Sequence, residues 1–260
     1  MHEGYAELPG RRLWCRDSGG GGPALVLLHA RSGSSLFWEK QFPVFAGAGL
    51  RVVAYDRVGH GRSTLNPGGD AGTAADDLER LAVHLGLERF HLLGTAAGGI
   101  VATDYALSFS KRIRSLVIAN SIVGVQDEDY VALGKRLRPA PQFDALPEHF
   151  RELGPQYRAA DPQGEARWIE LEHASRPKTP LGAKQGMRNR VTFSSLESIR
   201  APVLLLTGDA DLYTPPAVLD LFKTRIAHAQ TLIVENCGHS AYWEQPEIFN
   251  RAVLEFLKKN

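Results

Sequence analysis

The sequence predicts an α/β fold: a mostly parallel sheet with helices on both faces and a helical cap inserted between two of its strands. Three observations lead there. Short, continuously apolar β-rich runs recur along the 260 residues. Longer amphipathic stretches separate them, and strands alternating with helices imply a parallel sheet covered on both sides. One segment, from Ser121 to about Arg200, breaks that rhythm with helical patches and prolines.

The strands come first. Leu13–Arg16 reads as an early edge strand. Ala24–Leu28 and Arg51–Tyr55 are continuously apolar or nearly so, which suits strands buried on both faces. Phe90–Leu93, Ser115–Ala119, Val203–Leu206 and Thr231–Val234 complete the set. Between them, Thr73 caps a helix with Asp76 and Asp77 in its first turn, where negative charge meets the positive end of the dipole. Its apolar residues Leu78, Leu81, Val83 and Leu85 run to Gly86, a helix stop. Ile100–Leu107 continues a helix begun in a Gly-rich turn, and Ile248–Leu257 is a terminal helix entered through Pro246.

The broken segment carries helical patches at Glu128–Leu137, Pro147–Leu153, Glu165–His173 and Lys184–Asn189. This divides the chain into a core of residues 1–121 and 200–260 and a cap of residues 122–199. The cap is expected to close over the carboxyl ends of the strands, where open parallel sheets present their functional loops.

Composition narrows the function classes. Lys and Arg number 30 and Asp and Glu 29, so the chain lacks the positive excess that nucleic acid or an anionic membrane surface demands. Lys135-Arg136 and the Arg188/Arg190 pair read as solvated faces. The two cysteines, Cys15 and Cys237, give no disulfide framework, and MHEGYAELPG lacks a charged region followed by an apolar run. A cytoplasmic setting is the expectation. The histidines lack metal-ligand spacing, and the glycine turns lack the lysine and acidic partners of phosphate or dinucleotide loops. No cofactor and no metal are expected.

The loops after the strands carry the chemistry. Gly94-Thr95-Ala96-Ala97-Gly98-Gly99 joins a strand to a helix. Glycines at this spacing make the sharp G-x-S-x-G elbow, letting strand and helix pack closely while the central residue takes a strained backbone at the tip. Here the central residue is Ala96, not serine. Four other loops follow strands: His29-Ala30-Arg31-Ser32-Gly33, Asp56-Arg57-Val58-Gly59-His60-Gly61-Arg62-Ser63, Gly208-Asp209-Ala210-Asp211 with Pro215 and Pro216, and Cys237-Gly238-His239-Ser240 with Glu244, Pro246 and Phe249.

In that order these five motifs resemble the α/β-hydrolase family from Leu13 to Leu257. Single-cap members acting on small esters, enol-lactones and meta-cleavage products are the most similar group. The resemblance implies that His239 is the base and Asp211 the triad acid, with Asp209 as the alternative acid. It implies an oxyanion hole from the N–H groups of Arg31 and Ala97, the latter at a helix N-terminus that already favours an anion. His29 is expected to tie down its loop. Asp56, His60 and Ser63 are architectural, and Cys237 fits a packed turn better than an activated thiolate.

In the family's cycle the histidine takes a proton from the serine, whose oxygen then attacks a carbonyl. Ala96 has no nucleophilic atom, and Thr95 is expected to point away from the tip. Three readings stay open. The serine has been replaced, trapping a complex. Or alanine is native and His239 with Asp211 forms a general-base dyad, activating water or abstracting a proton for lyase, isomerase or cyclase chemistry. Or the fold is a silent ligand-binding or sensor protein. Trp38, Tyr130, Phe143, Phe150, Tyr157 and Trp168 are candidate apolar lining for the pocket, and Arg31, Arg188 or Arg190 are candidates to meet a substrate carboxylate. The expected partner is a small carbonyl compound, with a homodimer left open and no nucleic acid or membrane partner.

Overall fold

The computed structural model describes residues 1–176 and 185–260. Among the described residues nine strands form one sheet: β1 (His2–Leu8), β2 (Arg11–Asp17), β3 (Ala24–Leu28), β4 (Arg51–Tyr55), β5 (Thr64–Leu65), β6 (Phe90–Thr95), β7 (Ile113–Ala119), β8 (Val203–Gly208) and β9 (Gln230–Val234). Their spatial order is β1-β2-β4-β3-β6-β7-β8-β9, with β5 on β2. From β4 to β9 the pairs are parallel, and β1, β2 and β5 pair antiparallel.

The apolar runs explain the two-sided burial. In β3, Val26 and Leu28 face one core while Leu25 and Leu27 face the other. Burying such a side chain contributes about 1.5–3 kcal/mol, so a strand apolar on both faces is stable only between two layers. Helices α2 (Ala74–His84), α3 (Ala97–Ser108) and α10 (Pro216–Arg225) pack their apolar residues into the first core. Helices α1 (Phe42–Gly47), α11 (Ala241–Glu244) and α12 (Pro246–Lys258) pack into the second. Thr73 caps α2 by accepting from the Asp76 N–H, and Gly86 beyond its end has a φ of 67°.

Between β7 and β8 the described chain is helical: α4 (Glu128–Leu137), α5 (Gln142–Ala145), α6 (Glu148–Glu152), α7 (Pro155–Ala160), α8 (Pro162–Ser175) and α9 (Phe193–Leu196). The expected helix Lys184–Asn189 does not form over Gln185–Asn189, and Lys184 itself lies outside the described residues. The buried Asp104 carboxylate in α3 accepts from the backbone N–H groups of Arg188 and Asn189 at 2.7 and 2.9 Å. Those donors are committed to α3 instead of a local helix. Downstream, Val191, Leu196 and Ile199 return to the first core. Among the described residues no helix is long and apolar enough to cross a membrane.

Candidate active site

The elbow sits where β6 turns into α3. Ala96 has φ 49° and ψ −117°, a conformation that costs an L-residue about 1–3 kcal/mol and persists only where its surroundings enforce it. The glycines are part of that enforcement. A Cβ on Gly94 would strike the carbonyl of Gly98, and one on Gly98 would strike the backbone of Leu28 and His29. Ser121 donates its hydroxyl to the Ala96 carbonyl at 2.6 Å, fixing the turn from β7. The tip therefore keeps a strained geometry although it carries only a methyl group.

Beyond β8, Asp211 is buried and accepts from the backbone N–H groups of Tyr213 and Thr214 at 2.7 and 2.9 Å. The Thr214 hydroxyl and the Asn120 amide also donate to it, at 2.9 and 3.1 Å. His239, in the loop after β9, places Nδ1 at 2.8 Å from both Asp211 oxygens. This carboxylate accepts only, so Nδ1 carries the proton and Nε2 holds the free lone pair. Burial disfavours the Asp211 charge, but His239 and these donors outweigh it and hold the carboxyl well below its ordinary range. Burial likewise disfavours protonating His239, yet Asp211, then Glu152, raise its pKa above the ordinary value. Tyr213 stacks on the imidazole with ring centroids 4.3 Å apart.

Ala96 and His239 line the same cavity of about 540 Å³, within the size range of small-molecule sites. Arg31, Ala97, Tyr130 and Phe143 share its wall. The N–H of Ala97 is at the first position of α3, where no intrahelical acceptor exists. The Arg31 guanidinium donates to Glu148 at 2.8 Å.

Several expected residues lie elsewhere. Trp38 and Trp168 are fully buried in the second core, because their rings pack with Tyr242 and Phe37 instead of facing the cavity. Arg188 pairs with Asp76 in α2 at 2.5 Å and sits over Phe109, and Arg190 is exposed; neither reaches the cavity. Phe150 lies beneath Arg158, and Tyr157 donates its hydroxyl to Asp161.

The supporting loops do structural work. His29 bridges loops, with Nδ1 at 2.7 Å from the Ala30 carbonyl and Nε2 accepting from the Arg57 N–H. Asp56 accepts from the N–H groups of Ser35 and Arg62, and Ser63 links Asp56 to Trp14. His60 packs edge-on against His29, and its pKa falls to about 4 through burial and the Arg57 charge. Asp209 accepts from the Cys237 N–H. Burial, then Glu244, Asp211 and Asp209, raise the Cys237 thiol pKa, so it is not a thiolate. Thr95 is fully buried. Among the described residues no group of three His, Cys, Asp or Glu side chains is arranged to hold a metal.

The residue that sequence reasoning passed over is Glu152. It ends α6, lines the cavity and is 5% exposed. Its carbonyl accepts from the His239 N–H at 2.9 Å. In the sequence it is one more charge on an amphipathic patch, and only the fold turns it inward.

Residues 23–246 match the α/β-hydrolase fold family. The chain belongs to that family. It is 30% identical over 270 residues to a 2-hydroxy-6-oxononadienedioate/2-hydroxy-6-oxononatrienedioate hydrolase of Burkholderia vietnamiensis, spanning 95% of this chain and 91% of that one. Among solved structures it is similar to an esterase of Thermogutta terrifontis, at 26% identity and TM-score 0.81 over 100% of this chain and 99% of that one. It also shares its fold with the enol-lactonase of Burkholderia xenovorans, at 20% identity and TM-score 0.76 over 98% of this chain and 100% of that one.

Proposed function

We propose that this α/β-hydrolase-family enzyme acts on a small carbonyl compound by general-base catalysis from His239, without a covalent intermediate at position 96. Asp211 holds the imidazole tautomer and stabilises its cation. The N–H groups of Arg31 and Ala97 receive the negative charge that develops on the carbonyl oxygen. His239 removes a proton either from water, giving hydrolysis, or from a carbon beside the carbonyl, giving isomerase, lyase or cyclase chemistry. The observation that carries this reading is the pairing of a fully hydrogen-bonded, buried His–Asp dyad with an elbow tip that offers no heteroatom, both on one cavity. A silent binding protein has no need of an imidazole pKa raised by a buried carboxylate. The relatives' names, a hydrolase of oxo-dioates and an esterase, support a small carbonyl substrate.

The test compares the chain with Ala96→Ser on 4-nitrophenyl acetate. The serine variant is expected to give a burst and an acyl adduct on the peptide carrying position 96, and the unaltered chain neither. An acyl adduct on the unaltered chain would sink the non-covalent reading.

A further inference from the structure

We propose that Glu152 is the second proton-transfer group of this site, giving a proton to the substrate from the cavity wall while His239 removes one. The inference rests on the general-base reading of His239. Three geometric facts carry it. The side chain lines the cavity that holds Ala96 and His239. It is more than nine-tenths buried, and its Oε2 has no hydrogen-bond partner among the described residues. Its backbone is tied to that of the base, because the Glu152 carbonyl accepts from the His239 N–H.

A clamp holds that arrangement. One oxygen of Glu244 accepts from the N–H groups of Gly154 and Gly238, both at 2.9 Å, and the other from Ser240 at 3.1 Å. Gly154 and Gly238 touch backbone to backbone, leaving no room for a Cβ at either. The end of α6 and the histidine loop are thus tied together.

A buried carboxyl without a donor is expensive as an anion and is available as an acid near neutrality. Burial raises the Glu152 pKa to about 7, opposed by His239 and Arg31 and assisted by Glu148 and Asp211. Arg151 from its own helix, Tyr213 from the loop after β8 and Tyr242 from α11 complete the titratable surroundings.

The chemistry balances without a redox partner. Nε2 of His239 takes a proton from carbon beside the substrate carbonyl. The C–H electron pair moves to the carbonyl oxygen, forming an enolate at the Arg31 and Ala97 N–H groups. Glu152 then gives its proton to the far carbon of the conjugated enolate, forming a new C–H bond as the carbonyl returns. His239 then releases its proton to solvent and the Glu152 carboxylate regains one from it, which closes the cycle. The substrate class is a β,γ-unsaturated or enolisable ketone.

Two probes separate acid from base. 5-Nitrobenzisoxazole needs only a base, because its phenolate leaves without a proton. Cyclohex-3-enone needs both groups to become its conjugated isomer. On the full chain, Glu152→Gln is expected to lower kcat on the enone by about a hundredfold, the lower range for general acid catalysis, with KM little changed. That loss should exceed the loss on the benzisoxazole at least tenfold, remove the alkaline limb of the enone pH profile, and be partly rescued by Glu152→Asp. Histidine NMR should place the His239 pKa lower in Glu152→Gln, since Glu152 now helps raise it. Equal losses on both probes, an unchanged alkaline limb, or an unaltered chain active on the benzisoxazole and inert on the enone would each overturn the role of Glu152. Inactivity on both probes would instead overturn the base reading beneath it.

Discussion

At the scale of single residues, the site is decided by which atoms are free. Asp211 is saturated by donors, and His239 is one of them. Asp211→Asn presents a neutral amide to Nδ1, favouring the wrong tautomer and removing the charge that raises the imidazole pKa. Turnover on 5-nitrobenzisoxazole is expected to fall by about a hundredfold or more, approaching the loss of the base itself. The His239 pKa, followed by NMR, should fall with it. Stability should change its pH dependence too. The Asp211 pKa is lower folded than unfolded, so the folded state releases that proton more readily. Its contribution is present above the unfolded carboxylate range and fades as pH drops through the folded value. Acid unfolding of Asp211→Asn, scanned from neutrality downward, should lack that component.

Much of this was legible in the sequence as loop motifs, and Ala96 was legible as a substitution within one of them. Glu152 was not. A carboxylate on an amphipathic helix looks solvated until a tertiary contact, here the backbone bond to His239, turns it inward. Trp38 and Trp168 failed in the opposite sense: a large ring serves core and pocket equally well, and packing alone decides.

At the scale of elements, the Glu244 carboxylate joins the histidine loop to the chain after α6. Glu244→Ala leaves the N–H groups of Gly154, Gly238 and Ser240 without their acceptor inside the protein. The expected cost is about 3 kcal/mol or more, because each orphaned buried donor costs about 1–3 kcal/mol. A urea titration should show it as a lower midpoint at constant slope. A midpoint unchanged from the parent would mean that the clamp is not needed.

Strands were the most legible elements. Ala24–Leu28 and Arg51–Tyr55 form with the expected bounds, since unbroken apolar runs fit only a doubly covered sheet. β1 was missed because its residues are mostly exposed and its alternation shallow, an edge strand made by pairing with β2. Of the apolar residues that mark α2 in the sequence, Val83 is 61% exposed, so an apolar residue in the pattern is not by itself a core residue. The stretch at Gln185–Asn189 looked helical because a sequence pattern cannot see that Asp104 claims its backbone donors.

At the scale of the molecule, parallel topology brings loops far apart in sequence to one end of the sheet. The loops after β3, β6, β8 and β9 meet around one cavity, with α4 to α6 supplying its far wall. The same arrangement lets Arg31, Ala97, His239 and Glu152 reach one cavity. It also explains why Arg188, beside α2, cannot.

The central claim is that His239 is a working base in a site without a nucleophile at its elbow. Its most direct test is the pH–rate profile for 5-nitrobenzisoxazole with the unaltered chain and His239→Ala. The unaltered chain should gain rate as pH rises through a group titrating above the ordinary histidine value. His239→Ala should lose that limb and at least about a hundredfold in rate, the scale of general-base catalysis. Equal rates and superimposable profiles for the two proteins would contradict the account.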